Sequence, residues 1–158
     1  GAKGAPSASP AVLDQNGCIY SPHVLGIQKG QDLLIKNSDA TLHNIHSMSK
    51  TNSSFNFAMP KVVKEKRVSF DKVEEPFSIK CDVHPWMKSW VSVFDHGFFA
   101  VTDENGSYSI DGVPEGEYEV VAWQERFKMK GALTQKVNVK DGNTTADFTF
   151  KKPSKKKK

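Results

Sequence analysis

The chain has 158 residues, 37% hydrophobic and 25% charged, the make-up of a globular protein of one domain or two small ones. No run approaches the roughly 18 apolar residues of a membrane-spanning helix, which excludes that class. Lysine and arginine number 22 against 18 acids, a net charge of +4, but six of the lysines sit in the terminal "KKPSKKKK". The rest is therefore near neutral, and it lacks the basic, aromatic-interleaved stripe that nucleic-acid binding requires.

In chain order, residues 1–10 ("GAKGAPSASP") read as a flexible lead-in after a processed start, with any signal peptide already removed. Its glycines lack the Lys-Ser/Thr ending of a phosphate loop. Helical periodicity is almost absent thereafter. Short alternating runs between turn residues predict strands at "CIYS", "HVLGIQ", "QDLLIKN", "RVSFD", "FSIKCDV", "KSWVSVFD", "GSYSI", "GEYEVVAWQ", "TQKVNVK" and "TTADFTF". The joins carry turn chemistry: Lys29-Gly30, Asn37-Ser38-Asp39, Asn105-Gly106, Asp111-Gly112, Glu115-Gly116 and Asp141-Gly142. Residues 50–66 read as a long irregular crossing with one short helical turn. Strands of this kind build an all-β fold of one or two sandwich units. A boundary is expected near Asp95-His96-Gly97, because the residues with ligand chemistry lie before it. The closing lysines, residues 151–158, read as a solvated tail or as a point of association with an anionic surface.

Chemistry concentrates in "CDVHPWM", residues 81–87. Cys81, His84 and Met87 offer thiolate, imidazole and thioether from one loop, a donor set that favours copper over magnesium, calcium or manganese. A fourth donor would come from a neighbouring loop, and "NSDATLHNIHS" offers His43, with His46 three residues on. Cys18 admits a different reading: paired with Cys81 in a disulfide, it would remove the thiolate. Cys18 and His23, in "CIYSPHVLG", also stand as possible additional ligands, as does His46. Met59 reads as packing, and His96 sits at the expected boundary.

"LHNIH" followed by "CDVHPWM" resembles the copper-ligand pattern of cupredoxins, and the tight Cys-x-x-His-Pro-x-Met spacing is most similar to amicyanin. "IQKGQDLLIKN" also resembles the family's approach to the first histidine. The resemblance covers about residues 11–96. It implies a cupredoxin-like Greek-key β-sandwich and one copper ion, Cu(I)/Cu(II), held by His43, Cys81, His84 and Met87. Asn44 would tie the two ligand loops together, and Pro85 and Trp86 would rim the site. The implied function is single-electron transfer by a type 1 copper protein, not catalysis, with a redox partner docking near His84. The implied location is periplasmic or extracellular. Copper storage, delivery or sensing is the alternative, as is a structural or adhesive pair of β-domains.

"TDENGSYSIDGVPEGEYEVVAW" and "VNVKDGNTTADFTF" resemble the latter part of a carboxypeptidase regulatory-like, transthyretin-like β-domain. Residues 97–150 would then form a second, smaller β-sandwich-like module packed on the first, without that family's opening strands.

Overall fold

A computed structural model describes residues 8–130 and 133–151. The lysine tail from residue 152 and the first seven residues of the lead-in lie outside them. The chain divides into two compact units between Asp111 and Gly112, later than the change in chemistry near residue 97.

The first unit is an all-β sandwich, as expected. One sheet takes the order β2-β1-β4-β7, from Ala11–Gln15 (β1), Tyr20–Ser21 (β2), Asp32–Asn37 (β4) and Glu65–Ser69 (β7). The other takes the order β3-β9-β8-β5-β6, from Val24–Gln28 (β3), His43–Ser47 (β5), Asn56–Met59 (β6), Glu74–Lys80 (β8) and Lys88–Phe94 (β9). Strands β1 and β4 pair in parallel, as do β3 and β9, while the other neighbours are antiparallel.

Each sheet turns one face to the core, so alternate residues are buried. Leu33 and Ile35 of β4 meet Ile27, Ile45, Ile79, Val91 and Val93 from the second sheet in one buried cluster. In β8, Phe77 and Ile79 point inward at a period of two. Cys81 continues that series one step past the strand end, and it is buried with them. The Cys81 thiol is thus set at the rim of the core by the same alternation that builds the sheet.

Several expectations need correction. Residues 50–66 hold β6 and the start of β7, joined by a turn closed by Val63 N–H to Pro60 C=O, in place of a helical turn. β1 and β5 lie outside the expected runs. "HNIHS" has a single aliphatic residue, and pairing with β6 and β8 on its two sides makes it a strand. Met59 is fully buried, as packing required.

Phe99 stacks on Phe94 with ring centroids 4.5 Å apart, and it lies over Gly26, where an added Cβ would approach its ring to 2.5 Å. Residues just past position 97 therefore pack on β3 and β9 within the first unit. Gly26→Ala is expected to cost about 1 kcal/mol, because the Phe99 ring must shift. A chemical denaturation midpoint that does not fall would refute that contact.

In the second unit, Gly116–Ala122 (β10) pairs with Leu133–Val139 (β11) as an antiparallel sheet, close to two of the expected runs. A short 3-10 segment, Glu125–Lys130, lies between them. The runs at 106–110 and 144–150 are not strands.

Candidate metal centre

The loop from Cys81 to Met87 joins β8 to β9. Its base is closed by Cys81 N–H donating to Met87 C=O at 3.2 Å, and Met87 N–H donates to His84 C=O at 2.9 Å. These bonds bury Cys81 and Met87 at the two ends of the loop and lift His84 to the half-buried apex. Pro85 and Trp86 are exposed, and the Trp86 ring lies 5.1 Å from that of His84.

His43 opens β5 and is fully buried. Its Nδ1 lies 3.1 Å from Nδ1 of His84, and Cys81 Sγ lies 3.8 Å from the same His84 nitrogen. Donors sharing one ion, with bonds of about 2.0–2.1 Å to nitrogen and about 2.3 Å to sulfur, lie about 3.1–3.9 Å apart at ordinary coordination angles. Both separations fall in that range, so His84 stands where it could share a soft metal ion with His43 on one side and with Cys81 on the other.

The buried His43 is oriented by Asp39. Its Nε2 is 2.7 Å from Asp39 Oδ2. A carboxylate can only accept, so Nε2 carries the proton and Nδ1 presents its lone pair to the site. The same carboxylate accepts Gly17 N–H at 2.8 Å and Cys18 N–H at 3.0 Å. Burial alone would raise the Asp39 carboxyl, but the bonds from Cys18, His43 and Gly17 outweigh it and hold the group below its ordinary range. Sequence reasoning missed this residue as a member of the site. The available signal was an acid four residues before the candidate histidine in "DATLH".

Asn44 links β5 to the loop. Its Oδ1 accepts Asp82 N–H at 2.6 Å, and its Nδ2 donates to Asp82 Oδ2 at 2.8 Å and Asn56 Oδ1 at 2.9 Å. The bonds from Asn44 and His46, with the charge of Lys80 nearby, lower the Asp82 carboxyl. Beneath, Tyr20 donates to Asn44 C=O at 2.5 Å. Burial, with Cys81 and Asp82 close by, pushes its phenol far above the ordinary range, so it stays neutral.

The remaining candidates separate. His46 stands 3.2 Å from Asp82, outside the cluster of ring nitrogens and thiols. His23 is exposed, and its carbonyl accepts Trp90 N–H and the Ser89 hydroxyl. His96 Nδ1 accepts Phe98 N–H. Cys18 and Cys81 are both free thiols, which corrects the disulfide reading. Among the described residues, the triplet whose donor atoms all lie within 4.8 Å of one another is Cys18, His43 and His84. Cys18 is therefore a neighbour of both histidines.

No curated protein matches the sequence. A family model described as polysaccharide lyase family 4, domain II matches residues 82–147, less than half of the chain and not the carboxypeptidase regulatory-like family expected there. Similar solved structures include a Cu-containing nitrite reductase from Thermus scotoductus SA-01, at 20% identity and TM-score 0.49, with 57% of this chain covered. The chain spans only 25% of that enzyme's length. A purple cupredoxin from Nitrosopumilus maritimus is similar at 24% identity and TM-score 0.45, over 53% of this chain and 99% of the other. A proline-to-alanine mutant of amicyanin in its oxidized state is similar at 21% identity and TM-score 0.49, over 56% and 85%.

Proposed function

We propose that the first unit binds one copper ion through His43, Cys81 and His84, with Met87 as a weak axial donor, and passes single electrons to and from a partner. The observation that carries this reading is His84 Nδ1 standing 3.1 Å from His43 Nδ1 and 3.8 Å from the buried Cys81 thiol. Copper, when bound, supplies a one-electron couple between Cu(I) and Cu(II).

The chain's own contribution is rigidity and access. Asp39 fixes the His43 ring, the Cys81–Met87 backbone bond closes the loop, and Asn44 ties that loop to β5. Ligands held this firmly change little between oxidation states, which favours fast transfer. His84 is the half-buried ligand, flanked by Val83 at 48% and Trp86 at 66% exposure. That apolar rim suits brief docking of a redox partner, and the cupredoxin-like ligand pattern of the sequence supports a periplasmic or extracellular location.

The test is a Cu(II) titration of the full chain followed by voltammetry. One copper per chain, an intense thiolate-to-copper absorption in the visible and a reversible one-electron wave are expected. A colourless product overturns the reading. Colour with an irreversible wave would make the site a metal store or delivery point in place of a carrier.

A further inference from the structure

We propose that Cys18 is a ligand of the same site, so that two thiolates and two imidazoles, from Cys18, Cys81, His43 and His84, hold the metal, with Met87 a weak donor beside them. The proposal rests on reading His43, Cys81 and His84 as a metal site, and adds a donor that a single-thiolate copper site does not contain.

Cys18 sits on the two-residue hairpin between β1 and β2, closed by Asn16 N–H to Ile19 C=O at 3.1 Å. Both central residues are left-handed, Gly17 at φ 67° and Cys18 at φ 56°. This is the turn that twists correctly between antiparallel strands, and glycine or asparagine meets its demand most easily. A cysteine there carries a conformational cost that glycine would avoid. What it brings in return is a thiol beside the two histidines: Cys18 Sγ and a ring nitrogen of each of His43 and His84 lie within 4.8 Å of one another.

The turn is fastened on both sides. Asp39 accepts the N–H groups of Gly17 and Cys18, and the Trp86 indole donates to Cys18 C=O at 2.8 Å. Thus the carboxylate that orients His43 also holds the Cys18 backbone, while the loop carrying His84 holds it from the other side. Packing is the bland account of this thiol, but packing needs neither the left-handed position nor two ring nitrogens beside the sulfur. Two thiolates with two imidazoles suit a thiophilic ion, Cu(I) or Zn(II), more strongly than one thiolate does.

The test uses the reduced full chain loaded with one equivalent of Co(II), whose near-ultraviolet thiolate charge-transfer band grows with the number of thiolates bound. Cys18→Gly suits the left-handed backbone and keeps the turn, while Cys81→Ser removes the other thiol. Each is expected to lower the band to about half that of the parent chain. In the unaltered chain, the half-buried Cys18 thiol is expected to react with a thiol reagent before loading and not after it, a readout that needs no variant. A Cys18→Gly band equal to the parent's, with Cys18 still reactive in the loaded parent, overturns the proposal and leaves the His43, Cys81 and His84 site standing. A band lost only in Cys18→Gly sinks the reading that Cys81 is a ligand, and the two-thiolate set with it. The absence of any band in the unaltered chain overturns both.

Discussion

Asp39→Asn is expected to weaken metal binding by about 10–100-fold, the usual consequence of removing the hydrogen-bond partner of a ligating histidine. The carboxylate accepts three N–H groups, from the His43 ring, Gly17 and Cys18. Asparagine has one acceptor oxygen, and its amide nitrogen would face donors already pointing at it. His43 would then lose the partner that fixes its Nε2-protonated form, and the β1–β2 turn would lose an anchor. The fold should survive, because Asp39 lies on a loop outside the core cluster, with a stability loss of about 1–3 kcal/mol. Competition against a chromophoric chelator measures the first effect, and denaturant unfolding of the metal-free protein the second. Unchanged affinity would show that Asp39 is a surface acid near the site and not its support.

Glu74→Gln is expected to destabilise the protein by about 2–3 kcal/mol with little effect on the metal. Glu74 opens β8 and is buried, yet its carboxylate is fully engaged. Oε2 accepts Lys50 N–H at 2.8 Å, and Oε1 accepts Asn52 N–H at 2.8 Å and Asn52 Nδ2 at 3.0 Å. Asn52 in turn bridges Lys72 through both its amide atoms. This network pins the irregular crossing between β5 and β6, where no ladder satisfies the backbone. Charge-assisted bonds of this kind contribute about 1.5–3 kcal/mol, and a glutamine amide would set its own donors against the chain's.

Burial pushes the Glu74 carboxyl up, but the bonds from Asn52 and Lys50 prevail and hold it below its ordinary value. A folded-state pKa below the unfolded one, about 4.3, stabilises the protein fully above that pH and loses the contribution as pH falls through the folded value. The gap in stability between the parent and Glu74→Gln should therefore be constant near neutrality and narrow below about pH 4. A gap that widens on acidification would contradict the assignment.

Much of the site was legible because local rules place it. Alternation along "FSIKC" set Cys81 inward with Phe77 and Ile79, and the short span to Met87 demanded a tight loop with His84 at its tip. His43 was legible only as the partner such a loop requires. Asp39 and Cys18 were not legible as members of one cluster, because long-range pairing joins them. Parallel pairing of Gln15 with Asn37 carries the chain past both strand ends and sets the Gly17–Cys18 turn beside Asp39. Local pattern carries no trace of that register: "AVLDQ" alternates weakly, and parallel partners are distant in sequence. The crossing at 50–66 misled for a related reason, since β6 is a strand through pairing with β5 more than through its own composition.

The bond from Trp86 to Cys18 C=O joins residues 68 positions apart. Histidine, thiols and their carboxylate strap come from three stretches near residues 18, 43 and 84, so none of those stretches can capture an ion alone. If these residues are the donors proposed above, assembly of the set would be a checkpoint on maturation. On the proposed donor set, a newly made chain would acquire a metal only once its first hairpin has docked on its fifth strand and on the loop that carries His84. An ion that favours this assembled form then adds its own binding free energy to the fold, in proportion to the logarithm of its concentration.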